Sequence, residues 1–137
     1  MSKTYINPKS LYPTTDYGFS QVITCTGGKT VYLSGMVGWD AEKNLVGSGD
    51  LRDQTWQAFH NIETAMKEAG GSLTDVVSLR IYIIDDKMPE SGVVSEALLQ
   101  FFPEKQLPVT TWLGISSLAN KNFFIEIEAV GVIDEAS

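Results

Sequence analysis

The segment Phe124-Ile125-Glu126-Ile127-Glu128-Ala129-Val130 alternates apolar and acidic residues with a period of two, which predicts a β-strand. Its two faces are Ile125, Ile127 and Ala129 on one side, and Phe124, Glu126, Glu128 and Val130 on the other. Carboxylates on a strand within apolar sequence are costly to bury without partners. We therefore expect Glu126 and Glu128 to be solvated, paired with a cation or used in chemistry.

The elements around this strand predict an α+β fold in the order β-β-α-β-α-β-β. The predicted ranges are strands over 21–25 and 30–34, a helix over 51–69, a strand over 76–84, a helix over 91–102, and strands over 109–115 and 123–133. Gly27-Gly28 predicts a hairpin between the first two strands, and residues 1–19 show no periodicity. Two helices on one face of a mixed β-sheet form an α+β layer.

Bulk properties favour one domain over residues 1–137 and argue against several partners. A net charge of −7 is unsuited to nucleic acid, which needs a basic surface. The single cysteine, Cys25, excludes an internal disulfide, and we expect it to be buried. The chain shows neither a signal-peptide pattern nor an apolar run long enough to cross a membrane. We expect a cytoplasmic protein with no nucleic-acid or membrane partner.

The sheet face away from the helices is predicted to carry both polar and apolar residues. They include Tyr32, Ser78, Arg80, Tyr82, Glu126, Glu128 and Val130. Such a face is too apolar for solvent and too polar for a core, and self-association would cover it.

Several segments together resemble the Rid/YjgF family, also called endoribonuclease L-PSP-like. They are Asp16-Tyr17-Gly18-Phe19-Ser20-Gln21, Leu33-Ser34-Gly35-Met36-Val37, Gln57-Ala58-Phe59-His60-Asn61-Ile62 followed by Ala69-Gly70-Gly71, and Leu107-Pro108-Val109 before the Ile-Glu-Ile-Glu-Ala strand. The resemblance lies in their order, spacing and total length, and extends over nearly the whole chain. It implies a chorismate-mutase-like homotrimer that binds a small molecule in clefts between subunits.

The same resemblance implies roles for individual residues. Glu126 matches the glutamate that positions a water beside the ligand, and its structural alternative is an interface carboxylate paired with Arg80 or a backbone amide. Tyr17 resembles a tyrosine at the cleft mouth, or else packs over the domain. Gly35 matches a glycine whose backbone approaches the ligand, although glycine is also permitted at a strand end. Ser95 stands where several members have asparagine, and an ordinary surface serine is the favoured interpretation.

Thr110 stands where the imine-deaminating members have an arginine that binds the substrate carboxylate as a bidentate fork. A threonine hydroxyl supplies one hydrogen bond and no charge, so the substrate should lack a carboxylate at that place. Arg80 is a candidate replacement, but an ion pair with Glu126 or Glu128 is favoured. Trp112 would either line a pocket for an apolar ligand or fill core, and packing is favoured.

Three functions remain open. The first is hydrolysis of a small imine or enamine, with Glu126 catalytic and Tyr17, Gly35, Thr110, Trp112, Arg80 and Ser95 binding substrate. The second is a module that binds a small metabolite without turnover. The third, ribonuclease activity, is least favoured because the chain is acidic and lacks a histidine or lysine pair in the relevant strands. We expect no cofactor and no metal, since a lone histidine, His60, cannot anchor a metal site or a triad.

Overall fold

The computed structural model describes residues 2–135 as six strands and two main helices. They are β1 (Ser2–Ile6), β2 (Val22–Thr26), β3 (Lys29–Met36), α1 (Leu51–Glu68), β4 (Val76–Ile84), α2 (Gly92–Phe101), β5 (Val109–Ile115) and β6 (Ile125–Ile133). Short 3-10 helices cover Thr15–Tyr17, Leu73–Asp75 and Asp85–Glu90. The last five predicted elements lie within two residues of their expected bounds.

The main sheet has the strand order β3-β6-β4-β5. Strands β4 and β5 are parallel, whereas β6 is antiparallel to both β3 and β4. The parallel pair follows from its connection, because α2 crosses between the two strands. The predicted α+β class with a mixed sheet is confirmed.

The N-terminal part of the prediction is wrong in two respects. Residues 2–6 form a strand that was not predicted, and β2 pairs antiparallel with it, from Ser2 opposite Thr26 to Ile6 opposite Val22. The expected hairpin between β2 and β3 is therefore not formed, and Gly27-Gly28 leads the chain from the small sheet into the main one. Strand β1 is held by its backbone pairing with β2 and by a contact of 3.3 Å between Lys3 Nζ and Asp75 Oδ1. Neither interaction requires alternating apolar residues, so the sequence carries no pattern that marks this strand.

Both helices pack on one face of the main sheet, as predicted, and the core lies between them. The alternate residues Leu79, Ile81 and Ile83 of β4 and Ile125, Ile127 and Ala129 of β6 are buried there with Phe59, Ile62 and Met66 of α1 and Val94, Ala97 and Leu98 of α2. Helix α1 begins at an N-cap whose carboxylate, that of Asp50, accepts a hydrogen bond from the Asp53 N–H. It ends where the N–H groups of Gly70 and Gly71 donate to the carbonyls of Lys67 and Met66.

The opposite face of the main sheet is open. Tyr32 is 80% exposed on this face, and Arg80 is exposed as well. Cys25 is also exposed, contrary to expectation, because it lies on the two-stranded β1–β2 sheet outside the core. Within residues 2–135, none of the helices is long and apolar enough to cross a membrane.

Candidate functional site

A cleft of about 540 Å³ opens where the N-terminal segment, the start of α2 and strand β5 meet. Its lining residues are Tyr12, Tyr17, Phe19, Ser91, Gly92, Ser95, Thr110, Thr111 and Trp112. Four of the candidate residues from the sequence thus meet in one place: Tyr17, Ser95, Thr110 and Trp112. The lining combines aromatic rings with hydroxyl groups and includes no charged side chain.

Strand β5 directs Thr110 and Trp112 toward the helix side of the sheet. Thr110 is in register with Leu79, and Trp112 with Ile81, both of which are buried in the core. Paired residues of neighbouring strands point to the same side, and side chains alternate along each strand. The Trp112 indole Nε1–H donates to Thr110 Oγ1 at 2.9 Å. Trp112 also packs against the core, so it both lines the cleft and contributes to packing.

The segment 14–20 forms the opposite side of the cleft, where hydrogen bonds and one close approach hold it. The buried Thr14 donates through Oγ1 to the Phe19 carbonyl at 2.8 Å, and the Ser20 N–H donates to the Pro108 carbonyl at 2.9 Å. Gly18 has a φ of 96° and lies so close to α2 that an added Cβ would be 2.6 Å from Leu98 Cβ. This contact presents the residues on either side of Gly18 to the cleft.

Aromatic side chains form most of the apolar surface of the cleft. The Phe19 and Trp112 ring centroids are 6.3 Å apart, with planes inclined at 48°. Tyr17 and Tyr12 are 60% and 72% exposed, so they form its rim. Tyr12, Phe19 and Ser91 were not singled out from sequence. The sequence signal that could have found the two aromatic residues is the number of aromatic side chains in a segment without periodicity. Such large apolar rings are expected to pack against another part of the molecule.

Glu126 and Gly35 lie together, but away from this cleft. Glu126 is paired across the strands with Tyr82 on the open face, since its neighbours Ile125 and Ile127 are buried on the helix side. A Cβ added to Gly35 would overlap the Glu126 carboxylate, so the missing side chain makes room for it. Gly35 lies within a register irregularity between Leu33 and Met36, and its backbone is close to Glu126.

The fully buried Gln54 fixes the entry into the strand that carries Glu126. Its Oε1 accepts from the Phe124 N–H at 2.8 Å, and its Nε2 donates to the Gly49 and Asn122 carbonyls at 2.9 and 3.0 Å. A buried amide with three such bonds is a strong positional constraint. Helix α1 therefore holds Phe124, the residue that directly precedes β6 and lies two residues before Glu126.

Arg80 belongs to a second, smaller pocket on the open face. This pocket of about 240 Å³ is lined by Tyr32, Ser78, Arg80, Glu128 and Val130. Tyr82 donates from its hydroxyl to Glu128 Oε1 at 2.8 Å, and this hydrogen bond raises the pKa of the Tyr82 phenol.

The position of Arg80 bears on both interpretations of this residue. Among residues 2–135, no carboxylate lies within 4.0 Å of the Arg80 guanidinium, so the expected ion pair with Glu126 or Glu128 is absent there. Arg80 is in register with Thr111 and faces the open side, whereas Thr110 faces the helices. Within one subunit, Arg80 and Thr110 therefore lie on opposite sides of the sheet, and Arg80 is not among the residues that line the cleft.

Comparisons with known proteins all point to one protein family. A model of the family described as endoribonuclease L-PSP matches residues 9–133. The chain is 32% identical over 107 residues to a 2-iminobutanoate/2-iminopropanoate deaminase of Dermatophagoides farinae, which is 78% of this chain and 80% of that protein. It is 31% identical over 123 residues to a RutC family protein of Pyrococcus horikoshii, covering 90% and 89% of the two chains. The crystal structure of YyfB of Yersinia pestis, a Rid family protein of unknown function, superposes with a TM-score of 0.90 at 31% identity, covering 97% of this chain and 100% of that one.

Proposed function

Since the chain belongs to the endoribonuclease L-PSP family, also called the Rid/YjgF family, we propose that it hydrolyses a small imine or enamine in a cleft between subunits. The observation that carries the proposal is the cleft in which Tyr17, Ser95, Thr110 and Trp112 meet. A relative with the name of an imine deaminase supports the reaction class. The net charge of −7 gives no support to ribonuclease activity.

The proposed site needs a second copy of the chain. Glu126 and Gly35 lie on the open face of the sheet, whereas Thr110 faces the helices. A homotrimer in which the open face of one subunit packs beside the cleft of the next would bring Glu126 of a neighbouring copy to the ligand. The same packing would cover the exposed Tyr32 and Arg80.

The reaction requires few catalytic groups from the protein, because imines hydrolyse readily. A water held by Glu126 attacks the imine carbon and forms a C–O bond as the C=N π bond breaks. Glu126 takes one proton of the water and delivers it to the nitrogen, which gives a neutral carbinolamine. The hydroxyl of this carbinolamine then gives its proton, through Glu126, to the nitrogen as the C–N bond breaks, and a carbonyl compound and an amine or ammonia leave. Holding water and substrate together is the main contribution of such a site. The uncharged lining of the cleft fits a substrate without a carboxylate at the position of Thr110.

The test follows hydrolysis of N-benzylidenemethylamine, an uncharged imine, from the change in ultraviolet absorbance as benzaldehyde forms. We expect the protein to accelerate the reaction and Glu126→Gln to lower the catalysed rate by about 100-fold. Glu63→Gln is the matched control, since Glu63 lies on α1 outside the cleft. An acceleration that survives in Glu126→Gln would refute the role of Glu126. A wild-type protein that leaves the background rate unchanged would refute hydrolysis of this substrate class.

A second candidate function is binding of a small metabolite without turnover. It is favoured by one observation: the cleft residues of a single subunit include no charged side chain that could act as an acid or base. A probe that occupies the cleft and is recovered unchanged after long incubation would support this function over hydrolysis.

A further inference from the structure

From the lining of the cleft we infer its ligand class: an uncharged molecule with a flat apolar ring and a hydrogen-bond acceptor. The acceptor receives a hydrogen bond from the Thr110 hydroxyl. This inference deepens the proposed function and rests on it for the location of the site. It makes Thr110 and Trp112 a recognition pair, and so assigns a specificity to the place where the family resemblance implies a carboxylate-binding arginine in the deaminating members.

The first argument is the direction of the hydrogen bond between Trp112 and Thr110. An indole N–H can only donate, so Thr110 Oγ1 is the acceptor in the 2.9 Å contact. The Thr110 hydroxyl proton therefore points elsewhere. Among residues 2–135 it has no acceptor, and Thr110 lines the cleft. A ligand atom with a lone pair would complete a chain in which each donor polarises the next.

The second argument is the shape and chemistry of the walls. The rings of Phe19 and Trp112 are inclined at 48°, with centroids 6.3 Å apart. Tyr17 and Tyr12 extend this aromatic surface at the rim. Aromatic side chains present large, rigid apolar surfaces, and they bind flat rings by offset or edge-to-face contacts. A small aliphatic ligand would leave most of this surface in contact with water.

The third argument is that none of the residues of one subunit that line the cleft carries a positive charge. The start of α2 lies at the cleft through Ser91 and Gly92. Neither residue has a charged side chain, and the Ser91 N–H already donates to the Met88 carbonyl, because a 3-10 helix runs into α2. The whole chain has a net charge of −7, which disfavours an anion further. A carboxylate in the cleft would lose its hydration without gaining a cation.

The test compares three small probes: phenylacetamide, phenylacetate and acetamide. Phenylacetamide has the ring and a neutral acceptor, phenylacetate exchanges the amide for a charge, and acetamide lacks the ring. For wild-type protein we expect phenylacetamide to bind with a Kd on the order of 1 mM, as its size allows. We expect phenylacetate to bind about tenfold more weakly, and acetamide not to bind measurably. Binding is followed on the indole Nε1–H resonance of Trp112, which is assigned by its loss in Trp112→Phe.

Two variants of Thr110 separate its hydroxyl from its bulk. Thr110→Val removes the O–H and should weaken phenylacetamide about fivefold, whereas Thr110→Ser keeps the O–H and should bind nearly as the wild type. Equal affinity of Thr110→Val and wild type would overturn recognition by the hydroxyl. Phenylacetate binding as tightly as phenylacetamide, or failure of both to bind, would overturn the ligand class.

The outcomes remain separable from those of the proposed function. If phenylacetamide binds as expected and N-benzylidenemethylamine is not hydrolysed, the ligand class stands and the catalytic proposal fails. If imines are hydrolysed but phenylacetate is the tighter probe, the catalytic proposal stands and this inference fails.

Discussion

Replacing Gly18 by alanine would test the contact that builds one wall of the cleft. The backbone of Gly18 has a φ of 96°, a left-handed conformation that costs an alanine about 1–2 kcal/mol. The new Cβ would also lie 2.6 Å from Leu98 Cβ and 3.2 Å from the Ser95 carbonyl oxygen. Leu98 is fully buried and its Cβ is attached directly to the backbone of α2, so it cannot swing aside. Such overpacking adds about 1–3 kcal/mol.

The expected loss for Gly18→Ala is therefore about 2–5 kcal/mol in the free energy of unfolding. Gly49→Ala is the matched control. Its φ is 75°, but the nearest atom to an added Cβ is 3.6 Å away, at ordinary contact distance. It should lose only the backbone cost, about 1–2 kcal/mol. Urea unfolding at one protein concentration measures both, because association would make stability depend on concentration. Equal losses in the two variants would refute the close packing of Gly18 against α2.

Three further predictions concern the site and the open face. Gly35→Ala should displace the Glu126 carboxylate and lower imine hydrolysis by about tenfold or more. It should leave phenylacetamide binding intact, because the atoms nearest to the added Cβ all belong to the Glu126 side chain. A parallel loss of hydrolysis and of binding would contradict this prediction. Thr110→Arg should raise the affinity for small 2-imino or 2-keto acids, measured by calorimetry, and no gain would mean that Thr110 does not occupy the anchor position. The pKa of Tyr82 is raised in the folded state by its bond to Glu128, so the stabilisation is complete below pH 10 and is lost as pH rises further. Tyr82→Phe should remove that part of the fall in stability in a pH series of unfolding curves, and an unchanged fall would refute the assignment.

Local patterns predicted most of the main sheet and both helices. The alternation around Glu126 and Glu128 places β6 with one buried and one open face, which the burial of its residues confirms. The helix over 51–69 and the strand over 76–84 were recognisable for the same reason, since their apolar spacing matches a single buried side. Strand β1 escaped prediction because its pairing with β2 depends on backbone hydrogen bonds and not on an apolar pattern.

The candidate site was less predictable than the fold. Family resemblance pointed to Tyr17, Ser95 and Thr110, and the structure places all three on one cleft. The resemblance assigned no role to Tyr12 or Phe19, and neither shares a periodic pattern with the other lining residues. The direction of the bond from Trp112 to Thr110 also has no counterpart in the sequence.

The sequence by itself determined which faces of β4, β6 and the helices are buried, and that the position of Thr110 carries no charge. These are local properties, since they follow from the order of residues along one element. Only the tertiary structure decided that Arg80 and Thr110 face opposite sides of the sheet, and that Glu126 lies away from the cleft. Such relations depend on strand register and on contacts between distant segments, and a shift of one residue in register would reverse them.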